Sequence, residues 1–420
     1  MPASVRITQL DNGLRIVSDE MTSVETVSAG VWIEAGARFE DQLLNGVSHM
    51  LEHMTFKGTR KRSPQAIAEE VENVGGHINA YTSRENTAYY AKVLKEDTAL
   101  AVDVVADLVQ NAVLDEEELE RERGVILQEI HQAIDTPDDA VFDLFQDACF
   151  PDQPLGRPVL GPADGVRDMK RDAILGYMND YYRTPSMVLS AAGKLEHDQL
   201  VDLANEHFPG AVSDKAPTPP KATYTGGDAR ENRDIEQVHL LLGFEGFDYV
   251  HEDFYASSVM STLFGGGMSS RLFQEVREKR GLVYSVYSFV SAYDDTGVFG
   301  IYAGTGQEEA KELIPVVCDE IGKLDQGVSE EELSRAKAQL KSSILMSLES
   351  TSSRAEQLAR QMMIFGRPIP VEESVAKVEA VDEAAVLRAA KAIFTSEPTL
   401  AALGPIGEVE DFDKIKARLN

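Results

Sequence analysis

Two histidines and a glutamate occur within one stretch of five residues, as His49, Glu52 and His53. At 3.6 residues per turn, positions i, i+3 and i+4 lie on one face of a helix. Two neutral imidazoles at that spacing can bind one zinc ion, and the nearby carboxylate can hold the water that the metal acidifies. The order H-x-x-E-H is the inverse of the commoner H-E-x-x-H zinc motif.

The residues around this stretch predict an amphipathic helix with two different faces. Apolar side chains recur at helical spacing on one face, and the motif residues recur on the other, which also carries Phe56. The apolar face is formed by Val47, Met50, Leu51 and Met54. Gly58 is suited to end this helix, because glycine is common just after the last helical residue. A five-residue pattern also arises by chance, and a buried histidine is more often a core residue than a ligand, so a third ligand is needed to decide.

Glu129, 76 residues after His53, is the candidate third ligand. It lies in a segment of strong helix formers, and Glu122 precedes it by two turns on the same face. Glu129 could bind the metal while Glu122 orients a ligand. His77 and His131 are competing ligands, and a solvated acidic helix face is the alternative interpretation.

Length and charge bound the possible functions. At 420 residues the chain fits two domains of about 200 residues each. The net charge of −31, from 40 basic and 71 acidic residues, makes nucleic acid and anionic membrane surfaces poor partners. An acidic chamber would instead concentrate cationic peptides, although the charge could also serve only solubility.

The sequence indicates a cytoplasmic protein without a membrane anchor. The first residues lack a basic segment leading into an apolar run, and no apolar stretch approaches transmembrane length. Cys149 and Cys318 have no metal-binding or redox spacing, which favours buried thiols in a reducing compartment.

The chain repeats weakly with a period of about 213 residues. Pro185 and Pro398 each follow a helical pattern and precede a strand, a glycine and a second helix. A segment rich in Pro, Thr, Lys and Gly separates the halves. We therefore predict a first domain over 1–215, a linker over 216–227 and a second domain over 228–420. Shifting the motif by one period reaches 262–266, which contains no metal ligand.

The chain resembles the pitrilysin or insulinase family of zinc peptidases, and most closely the bacterial relatives of the mitochondrial processing peptidase β-type subunit. The spacing from the H-x-x-E-H motif to Glu129 fits the family pattern, and so do four further segments. These are 12–14, 56–59, 122–126 and 270–285. The resemblance implies an α+β fold with two tandem, similar domains, each a mostly antiparallel sheet backed by helices, together forming half of a clamshell.

The resemblance implies a zinc-dependent metalloendopeptidase that hydrolyses peptides or presequence-like unfolded segments in an enclosed chamber. His49, His53 and Glu129 would bind one Zn²⁺ per chain. Glu122 would orient one of these ligands, and Glu52 would be the general base. The substrate would be a peptide with basic residues.

Family resemblance also assigns residues around the substrate. Phe56 would line the pocket for the residue after the cut, and the strand holding Asn79 and Ala80 would bind the extended peptide. Asp139 and Asp143 would receive an arginine just before the cut. Core packing, an ordinary sheet edge and a solvated helix face are the respective alternatives.

Arg277 and Tyr284 match the family residues that contact the substrate carbonyl and steady the tetrahedral intermediate. Because the relatives form clamshells of four domains and this chain has two, we expect a homodimer in which these residues act on the partner's zinc site. The alternative function is that of a non-catalytic assembly subunit of the same fold, although such subunits commonly lack parts of the motif that this chain keeps.

Overall fold

The computed structural model describes residues 4–210 and 214–419 and divides them into two compact units. The first unit contains the residues up to His131, Arg157–Pro220 and Leu345–Pro370. The second contains Gln132–Gly156, Lys221–Ile344 and the residues from Val371 onward. Residues 211–213, near the predicted end of the first domain, lie outside the described residues.

A six-stranded sheet forms the centre of the first unit. Its strands are β1 (Val5–Gln9), β2 (Arg15–Glu20), β3 (Thr26–Ile33), β4 (His77–Thr82), β5 (Thr87–Leu94) and β6 (Met187–Gly193). The strand order is β1-β2-β6-β3-β5-β4, and only β2 and β6 run parallel among these strands. Strands β4 and β5 pair antiparallel and form a hairpin.

Helices cover both faces of this sheet. One face packs against a large apolar core with helices α1 (Val47–Thr55), α2 (Pro64–Glu72), α3 (Thr98–Asn111), α4 (Glu116–Asp135), α6 (Ala163–Asp168), α7 (Arg171–Tyr181) and α8 (His197–His207). The other face packs against α12 (Thr351–Phe365) in a smaller core that contains Trp32.

A five-stranded sheet forms the centre of the second unit. Its strands are β7 (Gly227–Asn232), β8 (Val238–Gly246), β9 (Val283–Ala292), β10 (Gly297–Thr305) and β11 (Thr399–Gly404). The order β7-β11-β8-β10-β9, with one parallel pair between β7 and β11, repeats the first sheet without β1. The predicted α+β class, with two similar and mostly antiparallel sheets, is therefore confirmed.

The helices of the second unit follow the same plan. The larger core lies beside α9 (Phe254–Gly265), α10 (Ala310–Leu324), α11 (Glu330–Ser347), α13 (Val371–Ala380), α14 (Glu383–Phe394), α15 (Phe412–Leu419) and the π-helix Phe273–Lys279. The opposite face packs against a single helix, α5 (Pro137–Cys149). In both units, short 3₁₀ helices lie between the longer elements. They are Ala37–Phe39, Gln42–Leu44, Lys95–Asp97, Pro154–Gly156, Thr184–Ser186 and Ile406–Glu408.

The compact units depart from the contiguous ranges 1–215 and 228–420 at two helices. Helix α5 lies early in the chain but packs in the second unit, and α12 lies late but packs in the first. Each helix buries the apolar face of the sheet that it covers, which is a packing preference that sequence order does not encode.

The segment predicted as a linker is irregular as far as 226, and Gly227 already belongs to β7. It is not a fully solvated connection, because Ala216, Ala222 and Tyr224 are buried. The Tyr224 hydroxyl lies 2.6 Å from Thr399 Oγ1 within the second unit.

The packing of α12 can be tested with two methionines of the first unit. Met362 is 3% exposed in the core around Trp32, whereas Met346 is 68% exposed. Met362→Ala should lower the free energy of unfolding by about 2–5 kcal/mol, because it leaves a cavity, while Met346→Ala should change it by less than about 0.5 kcal/mol. Urea unfolding followed by the fluorescence of Trp32, the single tryptophan, measures both. Equal effects of the two substitutions would contradict the packing.

Candidate metal centre

Helix α1 presents the motif as its spacing predicts. Val47, Met50, Leu51 and Met54 are fully buried in the main core of the first unit. Gly46 precedes the helix at φ +97°, a backbone conformation that side chains rarely adopt. The polar face is thereby turned away from the core, with His49, Glu52 and His53 half-buried.

Glu40, to which sequence reasoning gave no role, holds the start of α1. Its carboxylate accepts hydrogen bonds from the backbone N–H groups of Gly46 and Ser48, both at 2.8 Å, and from the Asn45 side chain at 2.8 Å. A carboxylate satisfies the free N–H groups of a helix N-terminus and is favoured by the helix dipole there. Burial raises the pKa of Glu40, and these hydrogen bonds oppose that rise. Sequence patterns could not predict this role of Glu40, because helix-cap patterns extend over only a few residues and Glu40 lies further from the start of α1.

Helix α4 brings two carboxylates to the motif. Glu129 Oε2 lies 3.4 Å from His53 Nε2 and 3.7 Å from His49 Nε2. Glu122 is buried, and its Oε2 lies 3.0 Å from His53 Nδ1. A carboxylate oxygen accepts hydrogen bonds, so this contact favours the His53 tautomer with its proton on Nδ1, which leaves Nε2 available to bind a metal.

Lys57 is a second residue to which sequence reasoning gave no role. Its ammonium lies 2.7 Å from Glu122 Oε1, so Glu122 connects Lys57 to His53. The residue stands one turn after His53 and could have been noticed by that spacing. Its partner lies 65 residues away, however, and no local pattern reveals that contact.

His49, His53 and Glu129 form a donor set that fits zinc. Their three ligand atoms all lie within 4.8 Å of one another. Ligand atoms around tetrahedral zinc, at bonds of about 2.0–2.1 Å, are separated by about 3.3 Å, close to the distances to Glu129. The imidazole rings of the two histidines are 4.6 Å apart at an interplanar angle of 70°. The competing candidates His77 and His131 are exposed and belong to no such group among residues 4–210 and 214–419.

The electrostatics of the centre favour the forms that bind metal. Burial, and then the neighbouring His53, lower the pKa of His49 to about 4, so its ring is neutral near pH 7. A metal requires that neutral imidazole. The other ring nitrogen, Nδ1 of His49, is buried without a hydrogen-bond partner.

Glu52 stands beside these donors without joining them. Burial raises its pKa, and a hydrogen bond from the Thr82 hydroxyl to Oε2, at 2.5 Å, opposes that rise. Thr82 is a third contact that sequence reasoning missed, since it comes from β4 rather than from the motif.

A cavity of about 480 Å³ adjoins the motif within the first unit. Its lining is mixed, with apolar side chains from α2 beside charged ones from the motif region. The lining comprises Glu52, His53, Phe56, Lys57, Pro64, Ile67, Ala68, Val71, Glu72, Gly76, His77, Ile78, Asn79 and Glu122. Phe56 and Asn79, which the resemblance assigns to the substrate, both line this cavity.

Strand β4, which carries Asn79 and Ala80, is the last strand of its sheet. The Ala80 N–H donates to the Asn79 side-chain oxygen at 2.9 Å. Asn79 is exposed and Ala80 is half-buried. A strand in this position offers backbone groups to an added strand.

The remaining predicted residues belong to the second unit. The Arg277 guanidinium lies 4.8 Å from the ring centre of Phe273 and 5.6 Å from that of Tyr284. Tyr284, at the start of the edge strand β9, is 76% exposed. Asp139 and Asp143 lie one turn apart on α5, the former exposed and the latter half-buried.

Two imidazoles and one carboxylate that could hold a metal ion, with a second carboxylate beside them, are typical of metal-dependent hydrolases. Comparison with known families agrees with that class. Residues 15–163 match the family described as "Insulinase (Peptidase family M16)", and residues 168–340 match "Peptidase M16 inactive domain". The chain belongs to the M16 family of peptidases, also called the pitrilysin or insulinase family.

Curated relatives of similar length carry peptidase names. The chain is 39% identical to an "Uncharacterized zinc protease" of Rickettsia felis over 96% of this chain and 98% of the relative. It is also 39% identical to the "Mitochondrial-processing peptidase subunit beta" of Bos taurus, over 98% of this chain and 86% of the relative. The predicted relationship to the β-type processing subunit is confirmed.

Solved structures share the fold. A protease from Helicobacter pylori superposes with a TM-score of 0.88 at 24% identity, covering 96% of this chain and 99% of that one. A chain of complex III2 from Candida albicans gives a TM-score of 0.89 at 20% identity, covering 99% of both chains.

None of the helices in residues 4–210 and 214–419 combines the length and the apolar composition that a membrane span requires.

Proposed function

We propose that this protein is a zinc-dependent metalloendopeptidase that hydrolyses peptides or presequence-like unfolded segments in an enclosed chamber. The observation that carries the proposal is the group formed by His49, His53 and Glu129, with Glu52 beside it on the same helix face. The curated relatives named as zinc proteases support zinc as the metal.

The roles follow from the geometry of each side chain. His49, His53 and Glu129 would hold one zinc ion per chain, and Glu122, backed by Lys57, would keep His53 in the binding tautomer. The metal, when bound, lowers the pKa of water and polarises the scissile carbonyl.

Glu52 is the general base of the proposed reaction. It would take the proton of the attacking water and pass it to the leaving amine. Its raised pKa suits that exchange, because a carboxyl group with a higher pKa holds the proton more readily before releasing it.

An extended peptide is the substrate that the first unit fits. The free edge of β4 at Asn79 and Ala80 would form hydrogen bonds with the peptide backbone. The Ala80 N–H, which donates to the Asn79 side chain in the structure, would then donate to the peptide instead. The cavity at Phe56 would take the side chain after the cut. Asp139 and Asp143 would receive an arginine before it, and the net charge of −31 favours basic peptides.

We further propose a homodimer in which Arg277 and Tyr284 of one chain complete the zinc site of the partner chain. The second unit has the same sheet order as the first. The two residues contact each other, and Tyr284 is exposed, as a residue that reaches a substrate must be. The alternative, a non-catalytic assembly subunit of the same fold, is less well supported because this chain retains the complete donor set and Glu52.

The proposed location is the cytoplasm. The sequence holds only two cysteines, without CxxC spacing, and both Cys149 and Cys318 are buried, which suits a reducing compartment.

Replacing Glu52 with glutamine tests the proposed reaction. Glu52→Gln should leave the zinc content unchanged, because Glu52 is not in the donor set, and lower kcat by about a hundredfold or more, because the general base is lost. Zinc is measured by mass spectrometry and turnover with a quenched basic peptide. Glu117→Gln, at a highly exposed glutamate of α4 outside the cavity lining, is the matched control and should keep most of the activity. Unchanged turnover by the Glu52 variant would refute the assignment.

Mixing two inactive variants tests the dimer. A Glu52→Gln chain and a Tyr284→Phe chain each lack one essential group. If Tyr284 acts on the partner's zinc site, mixed dimers contain one intact site and should regain up to about a quarter of wild-type activity after random exchange. Peptide cleavage is measured against the mixing ratio. Activity no greater than that of the separate variants would exclude the trans arrangement.

A further inference from the structure

The Thr82 hydroxyl makes the only hydrogen bond to the Glu52 carboxylate within the residues that the structure describes. It donates to Oε2 at 2.5 Å. Hydrogen bonds from hydroxyls to ionised carboxylates lie at 2.5–2.7 Å and are about twice as strong as those between neutral groups. The contact joins β4, the edge strand proposed to bind peptide, to α1, the helix that carries the motif.

The backbone around Thr82 is firmly held. Thr82 pairs with Thr87 across the hairpin, and the Ser83 N–H donates to the Asn86 carbonyl at 2.8 Å. The Ser83 carbonyl accepts from the Ala37 N–H at 3.1 Å. Threonine is also restricted at χ1 because it is branched at Cβ. The hydroxyl is therefore presented from a fixed position.

Glu52, in contrast, has a long side chain that needs such a partner. Three rotatable bonds separate its carboxylate from the helix, and Glu129 is a nearby like charge. Anchoring Oε2 leaves Oε1 to accept a proton. A displacement of about 1 Å in a catalytic group can cost about a hundredfold in rate.

We propose that Thr82 is a positioning residue that fixes the Glu52 carboxylate in the orientation required for proton transfer. This inference rests on the proposed function, since it concerns the same base. It also gives the edge strand a second role, because one strand would both pair with the peptide and orient the base that cleaves it.

Two variants of Thr82 separate its hydrogen bond from its shape. Thr82→Val keeps the branched side chain and removes the donor, whereas Thr82→Ser keeps the donor. For Thr82→Val we expect kcat to fall about tenfold or more, with KM and zinc content within about twofold of wild type. Thr82→Ser should restore kcat to within about threefold of wild type. Crystal structures should show the Glu52 carboxylate rotated in the valine variant and unmoved in the serine variant.

Several outcomes would overturn the inference. They are an unchanged kcat in Thr82→Val, an equal loss in both variants, a loss of zinc from Thr82→Val, or a wild-type Glu52 orientation in its crystals. If the wild-type protein itself cleaves no peptide, the proposed function fails. The crystallographic comparison still decides whether Thr82 orients Glu52.

Discussion

Helices α1 and α4 hold two imidazoles and a carboxylate with their possible ligand atoms within 4.8 Å of one another, and the rest of the site depends on that constraint. The Nε2 atoms of His49 and His53 lie 3.7 and 3.4 Å from Glu129 Oε2, which is close to the spacing of ligand atoms around one zinc ion. Glu52 and Glu122 add two more carboxylates close by, and Lys57 is the cation that pairs with Glu122. Such a cluster is stable only if the surrounding structure holds it in place or if a divalent ion neutralises it.

The surrounding structure does hold it. The apolar face of α1 is locked in the main core, Glu40 fixes the first turn of the helix, and Glu122 fixes the ring of His53. The contacts come from four separate stretches of chain: the turn before α1, α1 itself, β4 and α4. The centre is therefore a tertiary feature, although its two histidines are neighbours in sequence.

That distinction explains what could be predicted from the sequence. Helix α1 and the strands that follow Pro185 and Pro398 depend on residues a few positions apart, and all three are found where local patterns indicate. Glu129 could be predicted as a ligand because helical spacing and the family pattern agree. Glu40, Lys57 and Thr82 were not, since each acts on a partner that only folding brings near.

The duplication shows the same limit on a larger scale. Repeated prolines and strands predict two similar sheets, and the strand orders match. Helical periodicity cannot tell which sheet a helix covers, so α5 and α12 pack in units that sequence order would not assign to them. Among the described residues, only the first unit holds a group of side chains that could bind a metal. The family description "Peptidase M16 inactive domain" matches residues 168–340, which include much of the second unit, and this fits a shared fold with different chemistry.

The most direct measurement is an anomalous difference map recorded at the zinc absorption edge from crystals of protein purified without chelator. The account predicts one strong peak per chain, about 2.0–2.2 Å from His49 Nε2, His53 Nε2 and a carboxylate oxygen of Glu129. A peak centred instead on His77 or His131, or no peak at the three predicted ligands, would contradict it.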